Sequence, residues 1–202
     1  TEDKKYQRFF YQESFRNLFT SIKFMGSETP ITSIALTSTQ PSEGKSLIAT
    51  MLCKTLSEVG RKILLIDLDP QGNASTAAGI EGANRKTLCD HYFDQVSLED
   101  CTQSSTDDYK IIPGDEGLIA LEVAIRNDNN QGFLTKSLAD FENKFDYTII
   151  DTPPTLNQLT IEALFCASGT LIPLQCEYYS LEGVAGLMQT IETLSNKNMT
   201  SN

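Results

Sequence analysis

Short continuous apolar runs and helically spaced apolar residues alternate along the chain. The continuous runs are bounded by polar or turn residues, which is typical of strands buried on both faces of a parallel sheet. They predict strands at residues 31–36, 62–67, 109–113, 147–151 and 169–175. Because strands and helices alternate, the pattern predicts an α/β fold with a mostly parallel sheet flanked by helices.

Helices are predicted where apolar residues recur at intervals of three and four. A helix in the first 29 residues has Tyr11, Phe15, Leu18 and Ile22 on one face. A helix at residues 46–59 is ended by Gly60, and its predicted inward residues are Leu47, Ile48, Met51, Leu52 and Leu56. Further helices are predicted at residues 87–93, around Leu118, Leu121 and Ile125, at 133–143, at 159–167 and after Ser180, whereas 97–108 is predicted to be a polar surface excursion.

This organisation predicts a main domain at residues 31–195, with an N-terminal tail and helix at 1–30 and a frayed tail at 196–202. A chain of 202 residues is long enough for one domain with a substantial core. No apolar run approaches the ~18–20 residues of a membrane span, and the N-terminus has no apolar signal segment. We therefore expect a cytoplasmic protein without a transmembrane segment.

The net charge of −11 argues against nucleic-acid binding. An acidic surface repels a phosphate backbone unless a basic patch is segregated, and the basic residues here are spread out apart from a short run at residues 4–8. The five cysteines are scattered without a Cys-x-x-Cys pair, which favours buried free thiols. His91 has no partner at ligand spacing, and we expect it to be structural or exposed.

Candidate chemistry begins at the loop between the first strand and the second helix. Its end, Gly44-Lys45-Ser46, matches the phosphate-binding consensus GxxxxGK[ST], although Thr39 replaces the first glycine. In such a loop, backbone N–H groups and the following helix N-terminus bind phosphate. Lys45 would reach the β- and γ-phosphates, and the Ser46 hydroxyl would bind Mg²⁺. The predicted nucleotide-binding residues are Gln40, Pro41, Ser42, Glu43, Gly44, Lys45, Ser46 and Leu47.

Three aspartates stand at the ends of predicted strands. Asp67 and Asp69 close one buried strand, and Asp151 closes another. Ligands of an open parallel sheet bind outside the carboxyl ends of the strands, so these side chains should lie near the loop. One carboxylate there would hold Mg²⁺ directly or through water, and another would orient the water that attacks the γ-phosphate. The pattern therefore predicts a P-loop nucleotide-binding fold.

Three blocks of sequence extend this interpretation: residues 66–75 (IDLDPQGNAS), 145–154 (FDYTIIDTPP) and 171–183 (LIPLQCEYYSLEG). In this order they strongly resemble the ParA/Soj partition ATPases of the ParA/MinD group, over about residues 62–194. The resemblance implies that Asp69 positions the attacking water and that Asp151 helps hold Mg²⁺. We also expect Asp67 to support the metal through water. It also implies a γ-phosphate switch at residues 152–154 and a segment near the dimer face at 175–179.

The resemblance further implies an ATP-dependent homodimer and an activating partner protein. The predicted catalytic residues are Lys45 and Asp69, and the predicted metal-binding residues are Ser46, Asp67 and Asp151. The predicted cofactors are ATP and Mg²⁺.

The front of the chain has a second resemblance. Residues 13–24 and 38–46 look like the bacterial tyrosine kinases of polysaccharide export, in which an arginine-bearing helix packs protomers into a ring. Glu13 and Arg16 match, whereas Phe19 replaces a second arginine and Gln71 replaces the arginine of the kinase Asp-x-Asp-x-Arg motif. Gln40 stands where partition ATPases carry a lysine that crosses the dimer. Both families continue with further strands after the last predicted helix, so we expect the domain to be truncated at its C-terminus.

The function favoured by the sequence is a slow, Mg²⁺-dependent ATPase of the partition type, which dimerises on ATP and acts as a switch in DNA or cargo positioning. One alternative is a tyrosine autokinase domain of capsule or exopolysaccharide export. The other is a nucleotide-binding scaffold without useful turnover. DNA binding by this acidic chain itself is not expected.

Overall fold

The structure is a computed structural model that describes residues 2–38, 40, 43–82, 85–128, 130–139, 141–174, 184–189 and 191–193. The strands of the described residues are β1 (Ser33–Leu36), β2 (Ile63–Asp67), β3 (Gln103–Ser104), β4 (Lys110–Ile112), β5 (Tyr147–Asp151) and β6 (Gly169–Leu171). They form one sheet in the order β3-β4-β2-β5-β1-β6. Every neighbouring pair is parallel except β3 and β4, which confirms the predicted sheet.

Helices connect the strands and cover both faces of the sheet. They are α1 (Glu2–Met25), α2 (Lys45–Glu58), α3 (Asn73–Ala77), α4 (Leu88–Asp94), α5 (Leu98–Cys101), α6 (Gly117–Asn127), α7 (Phe133–Leu138) and α8 (Gln158–Cys166), with a 3₁₀ turn at Glu142–Lys144. Residues 184–189 and 191–193 are also helical. Ser180 and Gln175, used in two of the sequence predictions, lie outside the described residues.

Two hydrophobic clusters lie on opposite faces of the sheet. Leu64 and Ile66 of β2 join the cluster formed with α4, α6, α7 and α8, whereas Ile63 and Leu65 join the cluster formed with α1 and α2. Successive strand residues point to opposite faces, so a strand covered on both sides needs apolar residues throughout. This explains why the central strands appear in the sequence as continuous apolar runs.

Several short elements are absent from the sequence prediction. Helices α3 and α5 have 5 and 4 residues, which is too few to display a helical period. Leu98 and Cys101 of α5 are buried, so the predicted polar surface excursion is wrong for this part of the chain. A local signal does exist, because the Ser97 side chain caps α5 by accepting a hydrogen bond from Asp100 N at 3.1 Å.

Two helix predictions also need correction. Leu52 and Leu56 of α2 are buried as predicted, but the Leu47 side chain is 64% exposed. Leu47 lies in the first turn of α2, which borders an open pocket instead of the core. Helix α7 ends at Leu138, several residues before the predicted end at 143, and a 3₁₀ turn follows.

Helix α1 packs on the flank of the sheet through its C-terminal half. Ile22 is buried, and the Phe19 ring meets the Tyr147 ring edge-on at a centroid distance of 5.4 Å. Tyr11, at the other end of the predicted apolar face, is 61% exposed. In the part of the chain that the structure describes, no helix combines the length and the apolar character that crossing a membrane requires.

His91 is a structural residue, as the sequence suggests. Its Nδ1 lies 2.7 Å from the Val96 carbonyl oxygen, and its Nε2 lies 3.1 Å from Ser137 Oγ. These two contacts tie α4 to the segment after it and to α7. The four cysteines that the structure describes are free thiols.

Candidate functional site

The carboxyl ends of three adjacent strands meet at one edge of the sheet. Strand β5 lies between β1 and β2, and Asp151 is in register with both Leu36 and Asp67. The loop after β1 enters α2 at this edge, and Asp69 follows β2 by two residues. This is the place where an open parallel sheet binds its ligand.

A pocket of about 360 Å³ opens beside these strand ends. It is lined by Gly44, Lys45, Ser46, Leu47, Asp69, Gln71, Asn73 and Pro154. Gly44 has a φ of +85°, a left-handed conformation that favours glycine, and α2 begins at the next residue. No side chain in the described part of the loop caps α2, so N–H groups of its first turn remain for an anionic ligand.

Lys45 is held at this pocket by its surroundings. Its side chain is buried, and Nζ donates a hydrogen bond to Ser38 Oγ. Burial lowers the pKa of Lys45, and the nearby Asp151, Asp69 and Glu43 oppose this by favouring the charged form. The site therefore combines one buried cation with several acids, an arrangement suited to a ligand that carries its own charge.

Ser46 and Asp151 form a direct contact between α2 and β5. Ser46 Oγ donates a hydrogen bond to Asp151 Oδ2 at 2.6 Å. The other carboxylate oxygen, Asp151 Oδ1, is buried and has no hydrogen-bond partner among the described residues. Burial and the neighbouring Asp67 raise the pKa of Asp151 to about 7, although the Ser46 bond and Lys45 lower it.

This pair fits a magnesium ion. A buried carboxylate oxygen without a partner is costly, and a cation next to it would remove that cost. Hydroxyl and carboxylate oxygens are the ligands that Mg²⁺ prefers, and it usually takes only one or two carboxylates together with waters and phosphates. Within the described residues there is no group of three or more His, Cys, Asp or Glu that could hold a metal, so protein ligands alone would not complete the coordination.

Both carboxylate oxygens of Asp67 accept hydrogen bonds from within the protein. Its Oδ1 accepts a hydrogen bond from Asp69 N at 3.1 Å, and its Oδ2 accepts from Ser75 N at 2.8 Å and Ser75 Oγ at 2.7 Å. Burial raises the pKa of Asp67 to about 6, against these hydrogen bonds, which lower it. Because both oxygens are engaged, any part that Asp67 takes in metal binding would be indirect.

Asp69, which follows β2, lines the same pocket as Gly44, Lys45 and Ser46 of the phosphate loop. It is largely buried, and its Oδ1 accepts a hydrogen bond from Gln71 N at 2.9 Å. The Asp69 carbonyl also accepts from Gly72 N at 2.9 Å, so the turn that bears the aspartate is closed by its own backbone. The carboxylate thereby has a defined position beside the ligand space.

Two local hydrogen bonds link Ser38, Gln40 and Glu43, which are described residues of the loop between β1 and Gly44. Ser38 Oγ donates to the Gln40 carbonyl at 2.8 Å, and Gln40 N donates to Glu43 Oε2 at 3.1 Å. Gln40 itself is exposed. Pro41 and Ser42 lie outside the described residues.

A family model described as an AAA domain matches residues 31–202. The chain belongs to this AAA-domain family. Sporulation initiation inhibitor protein Soj of Bacillus subtilis is 35% identical over 161 residues, which cover 78% of this chain and 64% of Soj. Chromosome partitioning protein ParA of Myxococcus xanthus is 36% identical over 162 residues, which cover 79% of this chain and 57% of ParA. These relatives confirm the resemblance to the ParA/Soj group, and this AAA-domain chain spans less than two thirds of their length.

Solved structures confirm the predicted P-loop fold of the AAA-domain chain. Cobyrinic acid a,c-diamide synthase from Mycobacterium smegmatis, with bound ATP analogue and magnesium, is 26% identical with a TM-score of 0.77 and covers 82% of this chain and 69% of its own. A Cyanothece McdA variant in complex with ATP is 27% identical with a TM-score of 0.76, over 82% of this chain and 65% of its own. The kinase domain of Escherichia coli tyrosine kinase ETK, 21% identical with a TM-score of 0.76 over 91% of this chain and 71% of its own, shows the shared fold alone.

The structure brings most of the predicted site residues of this AAA-domain chain together. Gly44, Lys45, Ser46 and Asp69 line one pocket, and Asp151 reaches it through Ser46. Leu47 also lines the pocket, although its side chain is mainly exposed. Sequence reasoning missed four contributors, namely Ser38, Gln71, Asn73 and Ser75. Gln71, Asn73 and Ser75 belong to the block IDLDPQGNAS, so their proximity to Asp69 was the available signal. Ser38 acts through a contact that no spacing rule displays.

Proposed function

We propose that this chain binds ATP together with Mg²⁺ and hydrolyses it slowly, as a partition-type ATPase. The observation that carries the proposal is the convergence of Lys45, Asp69 and the Ser46–Asp151 pair on one pocket at the carboxyl edge of the sheet. Support comes from the structural neighbours that hold an ATP analogue with magnesium or ATP itself. The family relatives named for chromosome partitioning also support a partition-type ATPase.

Each residue has a distinct task in the proposed reaction. Lys45 and the N–H groups of the first turn of α2 bind the β- and γ-phosphates and neutralise the charge that develops there. Asp69 orients the water that attacks the γ-phosphate. Ser46 and Asp151 would hold Mg²⁺, which when bound neutralises charge on the phosphate oxygens. Phosphoryl transfer depends mostly on positioning and charge, so these few groups suffice.

We further propose that ATP binding promotes a homodimer and that hydrolysis, stimulated by a partner protein, reverses it. In this role the chain would act as a switch in the positioning of DNA or another cargo. The net charge of −11 supports an indirect attachment to DNA through other proteins. Sedimentation velocity with ATP and with ADP would test the switch, and an identical sedimentation coefficient in both would contradict it.

Phosphate release and ATP binding test the enzymatic proposal together. The wild-type chain should release phosphate from Mg·ATP, and EDTA should stop the release. Lys45→Ala should weaken ATP binding at least about tenfold, because it removes a buried charged contact to phosphate. Asp69→Ala should retain ATP binding and lose phosphate release. Lys54→Ala is the matched control, since Lys54 lies on the same helix but pairs with Asp107.

Three outcomes would contradict the proposal in different ways. Unchanged ATP binding by Lys45→Ala would show that the pocket is not the nucleotide site. Unchanged phosphate release by Asp69→Ala would remove Asp69 from the reaction. Phosphotyrosine formed on incubation with ATP, without phosphate release, would favour the tyrosine kinase alternative.

A further inference from the structure

A hydrogen-bond network built on Ser75 lies behind the site and is not used by the proposed reaction. Ser75 is part of α3, and it is fully buried. Its hydroxyl donates to Asp67 Oδ2 at 2.7 Å and accepts from Gly114 N at 2.9 Å. The Ser75 N–H also donates to Asp67 Oδ2, at 2.8 Å. One hydroxyl therefore joins the end of β2, helix α3 and the turn after β4.

The network reaches the backbone of Asp69. The same Asp67 carboxylate that binds Ser75 accepts a hydrogen bond from Asp69 N at 3.1 Å. Asp69 in turn accepts from Gln71 N and Gly72 N, both at 2.9 Å. The position of the Asp69 side chain therefore depends on a carboxylate whose other oxygen is fixed by Ser75.

Two glycines bring the turn after β4 into backbone contact with the Asp69 loop. A Cβ added at Gly114 would lie 2.7 Å from the Asp67 carbonyl oxygen and 2.8 Å from the Asp69 carbonyl oxygen. A Cβ added at Gly72, whose φ is +60°, would lie 2.9 Å from the Gly114 carbonyl oxygen. Arg85 Nη2 donates to that Gly114 oxygen at 3.1 Å. The turn is thus a rigid support behind the loop, anchored by Ser75 on one side and Arg85 on the other.

We infer that Ser75 is a positioning residue for Asp69, acting through Asp67 and Gly114. The inference rests on the proposed ATPase function, because the orientation of the attacking water is what requires a fixed Asp69. Ser75 is not among the residues that line the nucleotide pocket, so it affects the reaction only through the loop. Without its hydroxyl, a buried carboxylate oxygen and the Gly114 N–H lose a partner, and the loop shifts to relieve them. The chemical step slows while ATP still binds.

Steady-state kinetics and ATP binding of matched variants test the inference. Ser75→Ala should lower kcat by about 10- to 100-fold, the loss expected for a misplacement of up to about 1 Å, with KM and the Kd for ATP unchanged. Ser75→Thr keeps the hydroxyl and should recover most of the rate. Arg85→Ala removes the second anchor of the turn, the hydrogen bond to the Gly114 carbonyl oxygen, and the Arg85 side chain lies outside the core. This variant should lower kcat by about threefold, which corresponds to a modest change in positioning.

Ser33→Ala is the control for the loss of a buried serine. Ser33 is also buried, and its hydroxyl accepts a hydrogen bond from Ser168 N at 2.9 Å, between β1 and the segment before β6. It should lose stability and keep kcat. If Ser75→Ala fails to fold, the kcat of Arg85→Ala tests the inference in its place. The expected loss of about threefold would support the inference, and an unchanged kcat would overturn it.

The outcomes separate this inference from the proposed function. A wild-type chain that binds ATP and releases no phosphate would overturn both. An active wild type whose Ser75→Ala variant keeps its rate, or loses no more than Ser33→Ala, would overturn the inference alone. The inference alone would also be overturned if Ser75→Ala raised KM and left kcat unchanged, or if Ser75→Thr were as slow as Ser75→Ala.

Discussion

Replacing Asp151 with asparagine should stabilise the chain in the absence of magnesium and nucleotide. Asp151 is fully buried, and its Oδ1 has no hydrogen-bond partner in the described part of the chain. Burial, followed by the charge of Asp67, raises the pKa of Asp151 from 3.8 to about 7. The charged carboxylate therefore opposes folding, since water solvates it better in the unfolded chain.

The size of this effect follows from the pKa and from what asparagine brings. Above pH 7 the carboxylate is charged in both states, and a pKa raised from 3.8 to about 7 corresponds to a cost of about 4 kcal/mol. Asparagine removes the charge and can still accept the hydrogen bond from Ser46. Its NH₂ group introduces donors that need partners, at a cost of about 1–3 kcal/mol. The net gain should be about 1–3 kcal/mol, or about 2–12 °C in Tm for a chain of this size.

Urea denaturation at about pH 8 in EDTA measures this difference. Asp146→Asn is the matched control, because Asp146 is exposed and its Oδ2 already accepts a hydrogen bond from Lys62 N at 2.7 Å. Asp146→Asn should not raise the free energy of unfolding. With Mg·ATP the proposed function predicts the reverse order, since the wild type would gain stability by binding and Asp151→Asn would lose a proposed metal ligand. A variant less stable than the wild type in EDTA would refute the reasoning.

Two further substitutions test buried polar groups elsewhere. Tyr109→Phe should raise the free energy of unfolding by about 1 kcal/mol, because the buried Tyr109 hydroxyl also lacks a partner among the described residues; a lower urea midpoint would contradict this. Glu162→Gln should lower the free energy of unfolding by about 2 kcal/mol, because the buried Glu162 carboxylate accepts from Gly132 N at 2.9 Å and Leu134 N at 3.1 Å, and an amide can keep only one of these bonds. An unchanged midpoint in urea would show that this contact contributes nothing.

The central sheet is predictable because burial on both faces leaves a continuous apolar run. Strand β5 begins and ends where the sequence predicts, at Tyr147 and Asp151. The opposite case is α5, where only Leu98 and Cys101 are buried and four residues cannot display a period. Leu47 shows a third limit. Its spacing matches the inward face of α2, but periodicity cannot reveal that the first turn of this helix borders an open pocket.

Asp67 and Asp151 show why the site can be located from sequence while the tasks of its residues cannot be separated. Both end an apolar run, both are fully buried, and they are paired in register on adjacent strands. The structure distinguishes them by their partners, because Ser75 satisfies Asp67 from within the protein, whereas one oxygen of Asp151 has no hydrogen-bond partner among the described residues. A carboxylate satisfied internally is suited to holding a loop in place, and one left open beside a serine hydroxyl is suited to a cation. Ser75 lies eight residues after Asp67, and the surroundings of Asp151 are set by the fold. The strand pattern is the same for both aspartates, so it cannot predict this difference.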